Sequence, residues 1–497
     1  MKTTIINAKI YTANKDMPIA KSMSFEHDKI IAISKNNLEG DQLIDAKGKF
    51  VCPSFFDIHM HPLWIAENLN KFACLPPLIY SIEDCLAEIK RRTSNDWILG
   101  WGFDEGKIKE HRLCSKDDLD RACTTKPVVI ERTCNHICMC NTKALQVLGF
   151  DPTHHDGILK ETDKFEAFKK IPSLSIEEIQ INLKKLSEDC ISKGITTISE
   201  MLGTPESLQI YDSFNGAVKQ TILFSYDYQS IKQLDHLPKP TQPHIKLQGI
   251  KILADGSISG QTAWCSIPYK NSQNVGLCTI NDSDIKNAYD LARKNHLQLI
   301  AHAMGDEAIR TILKHKNDDW LDIPSVRLEH YTITNKELLE LTSKNHVAIV
   351  SQPIFMYAEI ESYLKNLGDE FKAYCYPYKS ILNHQIPLAF SSDAPATSWS
   401  DAYNPFIGIA SSCNRKSYND IETGVQEKIS IQEAIDCYTI NAANIVGLLD
   451  QGSLTIGKKA NFVILNQDLL DLNITIESTK VVETYLNGIS VYKSKSL

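Results

Sequence analysis

The middle of the chain alternates short apolar runs with stretches of helical periodicity, and this constrains its fold more than any other feature. Runs of strand length read FFDIH, PVVIERT, GITTISEM, IKILADG, LQLIAHA, VRLEHYT, HVAIVSQP and IPLAFSSDAP, with WILGWG and ILFSYDY as two more. Strands interleaved with helices imply parallel βα units, because a parallel neighbour is reached only by a crossover. Ten candidates compete for the eight places of a (β/α)8 barrel, so two belong to an insertion or an edge hairpin. The helices are plainer. Asp306 is placed to cap EAIRTILKHK, with Glu307 in the first turn and lysines in the last, and Ser430 to cap SIQEAIDCYTINAANIVGL.

The two ends have a different texture. Residues 1–54 read as short strands separated by turn signals such as Asp28-Lys29 and Gly48. The last stretch reads ANFVILNQD and KVVETYLNGISVYKS, with Asn487-Gly488 as a hairpin signal. These ends predict one small β domain built from residues 1–54 and 445–497, around a barrel over 55–444. Residues 62–125 carry Pro76-Pro77 and three tryptophans and break the barrel rhythm, so they read as a lid or inserted segment.

Composition removes several classes of function. A net charge of -8 leaves no basic footprint for nucleic acid. No apolar run approaches the ~18–20 residues of a membrane span, and the N-terminal MKTTIINAKIYTANKD lacks the apolar block of a signal peptide. Fourteen scattered cysteines without such a signal point to reduced thiols in a cytoplasmic protein. A small-molecule substrate is the expected partner.

Polar residues cluster where the apolar strands end. In FFDIHMHP, His59 and His61 are two apart, and positions i and i+2 share one face of a strand. Lys251 lies within GIKILADG, His302 ends LQLIAHA, His330 ends VRLEHYT and Asp393 ends LAFSSD. In a barrel these positions face the C-terminal mouth, where active sites are built. The 28 residues between His302 and His330 suit one βα unit, and the 63 between His330 and Asp393 suit two. Each residue alone has an ordinary reading: a hydrogen-bonded histidine, a snorkelling lysine, a turn aspartate. Together, four imidazoles, a carboxylate and an amine suit zinc or a similar divalent ion.

With FFDIHMH, KILADGS, LIAHAMGDEAI, RLEHYTIT, SSDAPATSWSDAYNPFIGI and INAANIVGLLDQGSLTIGKKANFVIL, the chain resembles the amidohydrolase superfamily, and within it amidohydrolase family 3. The resemblance runs from about residue 4 to 490. It implies an α/β fold, a distorted (β/α)8 TIM barrel with a composite β-sandwich. It also implies that His59 and His61 bind one metal with Asp393 beside it, that His302 and His330 hold a second where there is one, and that Lys251 falls where relatives carry a carboxylated lysine. One or two ions per chain fit this pattern, with Lys251 either carboxylated or unmodified. A bound ion would lower the pKa of a water from ~15.7 toward ~7, and Asp393 would serve as proton acceptor. His136, followed by Asn141, matches a family histidine that holds the substrate carbonyl. Members often form homodimers.

The implied activity is hydrolysis of a non-peptide amide-type C–N bond, in an amide, a formamide or a related group. Two alternatives stand beside it. A deaminase of heterocycles typically has Glu three residues after the fifth-strand histidine, where this chain has Gly305. A non-catalytic barrel protein would usually have lost ligand positions. Cys134, His136, Cys138 and Cys140 resemble a second zinc set, but C-x-H-x-C-x-C is not a paired knuckle, and buried thiols are the preferred reading. Departures from the family pattern fall at Ser54, Cys134-Asn135, Gln261 and Asn461.

Overall fold

The computed structural model describes residues 1–133, 136–214, 218–368 and 375–495. Two compact units emerge: Met1–Pro62 with Ser187–Ala394 and Tyr403–Leu497, and Leu63–Leu186 with Pro395–Ala402.

The first unit contains an eight-stranded parallel sheet that curls into a barrel. Its strands are β1 (Phe55–Met60), β2 (Ile195–Gly203), β3 (Thr221–Asp227), β4 (Ile245–Leu253), β5 (Gln298–Ala303), β6 (Val326–His330), β7 (Ala348–Ser351) and β8 (Leu388–Phe390), each paired with the next in chain order. Helices Asp282–Lys294, Asp306–Lys314 and Lys336–Lys344 fill the crossovers from β4 to β7. The strands are almost wholly buried, which is why they read as apolar runs without clean alternation. The seam between β8 and β1 is joined at their C-terminal ends: Asp393 N donates to His59 O and His61 N donates to Ala394 O, both at 2.8 Å. ILFSYDY supplies β3, whereas PVVIERT and WILGWG, two of the ten candidates, lie in the other unit.

Two further sheets in the first unit draw on the chain ends. A four-stranded sheet uses Lys29–Ser34, Ser22–Glu26, Thr3–Ile6 and Gln42–Asp45. A six-stranded sheet sets Ile489–Lys493, Val481–Leu486 and Phe462–Leu465 beside Phe50–Pro53, Lys9–Tyr11 and Ile19–Ala20. Ile5, Met23 and Phe25 from one sheet share a core with Val51, Phe462 and Tyr485 from the other, and the Phe462 and Tyr485 rings stack at 4.4 Å. Asn487 and Gly488 have φ of +52° and +75°, the left-handed pair that a two-residue hairpin turn requires.

The second unit runs to Leu186, so the inserted segment extends well beyond the 62–125 inferred from rhythm. It folds around its own five-stranded sheet: Ile158–Lys160, Ile137–Cys140, Val128–Arg132, Ile98–Phe103 and Phe72–Ala73. Period-2 alternation divides its two faces. Val128, Ile130 and Met139 pack with Ile82, Leu86 and Ile89 of helix Ile82–Arg91. Val129, Cys138 and Cys140 pack with Ala144, Leu145 and Leu148 of helix Thr142–Leu148. PVVIERT resembled a barrel strand because it too is a buried strand paired in parallel, with Ile98–Phe103.

Two helix details differ from expectation. Gly305 is the N-cap of Asp306–Lys314, and Asp306 instead turns its carboxylate to Ser266, accepting from N at 2.9 Å and Oγ at 2.5 Å. Ser430 does cap its helix, with a reciprocal box to Glu433. That helix ends at Tyr438, and a second runs Ile440–Ile445. At the junction Thr439 has φ −130° and ψ −97°, and its hydroxyl bonds back to Ile435 O at 2.7 Å. Among the described residues no helix is long and apolar enough to cross a membrane.

Candidate metal centre

All six residues read from the strand ends belong to the first unit, and all but His302 are nearly sealed from solvent. His59 lies near the end of β1 and His61 just past it, with Pro62 opening the next helix. Asp393 Oδ1 sits 3.2 Å from His59 Nε2 and 3.0 Å from His61 Nε2. Its backbone φ is +55°, in the left-handed region that side chains other than glycine seldom adopt. His330 has φ of +72°. That rotation breaks strand alternation, so consecutive residues Glu329 and His330 both reach His59: the first bonds its Nδ1, and the second has its ring centre 5.1 Å away. One nitrogen or oxygen from each of His59, His330 and Asp393 lies within 4.8 Å of the other two.

The remaining members adjoin this group. The His302 ring lies 4.4 Å from that of His330, and its Nε2 donates to Gly256 O at 2.8 Å, leaving Nδ1 as the lone-pair nitrogen. Lys251 comes from β4, opposite Ile300 of β5 and Asp227 of β3. It is 1% exposed, and its Nζ has no hydrogen-bond partner among the described residues. His330 donates from Nδ1 to Gln352 Oε1 at 2.7 Å, and its Nε2 is likewise buried with no such partner. Orphaned buried polar atoms are costly and rare. An amine and an imidazole lone pair in that state, beside a carboxylate approached by two imidazoles, form the nitrogen and oxygen donor set that suits a divalent ion.

The electrostatics favour the metal-binding forms of most of these groups; His59 is the exception, because burial and Lys251 would lower it but Asp393 and Glu329 raise it. Burial alone would raise the Asp393 carboxyl, but His59 and His61 hold it well below its usual range, as an anion. Burial, reinforced by Lys251, lowers His302 to about 4. Burial and His302 push His330 down strongly, and burial also lowers His61, so these three rings are neutral donors at pH 7. Burial brings Lys251 down to about 8, against the pull of Glu329 and Asp393.

Several outer partners escaped the sequence reading. Glu329 and Arg327 are fully buried, and Gln352 orients His330 while its Nε2 donates to Ser391 Oγ at 2.9 Å. Asp255 accepts the amides of Met304, Gly305 and Trp264 at 3.0, 2.8 and 2.9 Å, pinning the loop after His302. A visible signal existed for two of them: Arg327 and Glu329 are charged residues at i and i+2 of an otherwise apolar run.

His136 belongs to the second unit. Its side chain is 56% exposed, with Nδ1 3.0 Å from Glu161 Oε2. Asn141 caps helix Thr142–Leu148, accepting from Ala144 N at 2.8 Å. Cys138 and Cys140 are buried thiols of the sheet core, while Cys134 and Asn135 lie outside the described residues. Among the departures, Ser54 bonds Thr196 Oγ1 at 2.6 Å, Gln261 donates to Asn366 Oδ1 at 2.9 Å and Asn461 donates to Gln451 Oε1 at 2.9 Å. None of these three bonds reaches a candidate ligand.

Comparison with known proteins shows the family and the fold. A family model described as Amidohydrolase family matches residues 42–492. The chain belongs to the amidohydrolase family. This amidohydrolase is 25% identical over 491 aligned positions to a Bacillus subtilis chain that bears the name amidohydrolase YtcJ, with 90% of each chain covered. It is 22% identical over 543 aligned positions to the N-substituted formamide deformylase of Arthrobacter pascens, with 98% of each covered. Among solved structures, a metal-dependent hydrolase of Pyrococcus horikoshii superposes with a TM-score of 0.77 at 24% identity, over 96% of this chain and 99% of that one, and shares the fold.

Proposed function

We propose that this amidohydrolase uses a divalent metal, with zinc the best match to its donors, to hydrolyse a non-peptide amide-type C–N bond in a small molecule such as an amide or formamide. The observation that carries the reading is the position of Asp393 Oδ1, 3.0 Å from His61 Nε2 and 3.2 Å from His59 Nε2. An ion held by His59, His61 and Asp393, with Lys251, His302 and His330 beside it, would lower the pKa of a water from ~15.7 toward ~7 and polarise the scissile carbonyl. Asp393, kept anionic, takes the proton released as the new C–O bond forms. It returns that proton to the leaving nitrogen as the C–N bond breaks. The buried, strongly depressed rings of His302 and His330 do not compete for it.

Lys251 has a separate part. An ammonium cannot ligate, but the neutral amine can add to CO2 and lose one proton, giving an anionic carbamate. The depressed pKa of about 8 supports this reading. The deaminase alternative is disfavoured at Gly305, where an added Cβ would lie 2.0 Å from Trp264 O. Glu307, the next glutamate along the chain, has Oε1 3.4 Å from Arg310 Nε.

The test is a hydrolysis panel of formamides, amides, ureas and esters, with the metal-replete protein. Cleavage of an amide or formamide that stops with chelator supports the proposal. A protein with metal bound and no hydrolysis across the panel refutes it, and ammonia release from a nucleobase or pterin would favour deamination.

A further inference from the structure

His59 is gripped on the side of its ring away from Asp393. Glu329 Oε2 bonds its Nδ1, Glu329 Oε1 accepts from Arg327 Nε at 2.6 Å, and Arg327 Nη2 donates to Ile58 O at 2.7 Å. The Arg327 and Glu329 side chains are fully buried, and that of His59 is 2% exposed. We propose that Arg327 and Glu329 are positioning residues for the metal centre: together they keep the proton of His59 on Nδ1 and turn its Nε2 lone pair toward Asp393. The inference rests on the reading of His59 as a ligand.

The chemistry of the three groups carries it. An ionised carboxylate only accepts, so Nδ1 of a neutral His59 must carry the hydrogen and Nε2 the lone pair. Nε2 is the nitrogen 3.2 Å from Asp393 Oδ1. Arg327 fixes two things at once, the carboxylate on the ring and the carbonyl of Ile58, immediately before His59. Both partners stand on β6 at i and i+2, the spacing that directs two side chains into one space. Packing alone does not account for them. A buried ion pair is commonly no more stabilising than apolar residues of equal volume, and here Arg327 Nη1 has no hydrogen-bond partner among the described residues. Orientation of a ligand by a carboxylate behind it gives the pair a role that packing does not.

The experiment measures zinc binding to full-length protein stripped of metal, by competition with a chromophoric chelator. Visible absorption of the Co(II) form reports the geometry at the ion, and thermal melting of the metal-free protein reports the fold. Glu329→Gln should weaken zinc binding about 10–100-fold and alter the Co(II) spectrum. Arg327→Lys should weaken it less, because an ammonium keeps the charge but cannot span both acceptors, and Glu329→Asp should restore part of the loss. A folded Glu329→Gln variant with wild-type zinc affinity and an unchanged Co(II) spectrum overturns the proposal. If that variant does not fold, wild-type affinity in Arg327→Lys overturns it instead. Wild-type protein that takes up no zinc sinks the ligand assignment of His59 as well, whereas binding by wild type with no change in the variants sinks only the positioning role.

Discussion

The amide of Asp393 donates to the carbonyl of His59 at 2.8 Å, so the last barrel strand is tied to the first through two residues whose side chains also meet, at 3.2 Å. The join of the barrel and the candidate metal centre are therefore the same place. Both residues are held twice, by backbone and by side chain. This follows from Asp393 coming directly after β8 and His59 lying near the end of β1.

Replacing Asp393 by Asn keeps the shape of the side chain and removes the proton acceptor. We expect kcat to fall by about 10²–10⁴-fold, with circular dichroism unchanged. Rates referred to metal content per chain separate loss of the base from loss of the ion.

Metal removal should cost stability as well as activity, because the donors lie across the barrel join. A ligand at 100 times its Kd stabilises the folded state by about 2.7 kcal/mol. Chelator should accordingly lower the melting temperature and zinc should restore it. Equal melting temperatures with and without bound zinc would contradict the assignment.

Lys251 should carry one added CO2 when the protein is kept in bicarbonate near pH 8, where burial leaves much of its amine neutral. Native mass spectrometry should show the adduct, acid should release it, and Lys251→Met should abolish it. A native mass without the adduct, with metal bound, would assign the lysine an unmodified role.

Acid stability of the second unit should depend on Asp118. Its carboxylate accepts from Arg112 Nη1 at 2.5 Å and Nη2 at 3.1 Å, and closes the capping box with Ser115. The Arg112 bonds lead in lowering its pKa to about 2 against the burial that would raise it. A depressed carboxyl contributes fully above its unfolded value near 3.8 and loses that contribution as pH falls through about 2. Asp118→Asn should cost about 1–3 kcal/mol at neutral pH and flatten denaturation midpoints between pH 4 and 2.

Much of this architecture was legible in the chain. The strand-end residues from His59 to Asp393 are met in sequence order at the ends of strands that pair in that order, since each βα unit adds one neighbour. What was not legible has physical causes. A buried parallel strand looks the same in any sheet, so PVVIERT of the second unit reads as readily for the barrel as ILFSYDY, which does belong to it. Arg327 and Glu329 resemble the solvent face of a half-exposed strand, and only a closed interior reveals them as buried partners of His59. The position of His330 depends on a left-handed backbone angle that no periodicity forecasts.

Every candidate ligand lies outside Leu63–Leu186, the stretch of chain that folds around a sheet and core of its own immediately after His61-Pro62. Substitutions within that stretch's own sheet and core therefore fall on residues other than the candidate ligands. A lineage built this way can diversify one of its two units generation by generation while inheriting the reactive centre intact.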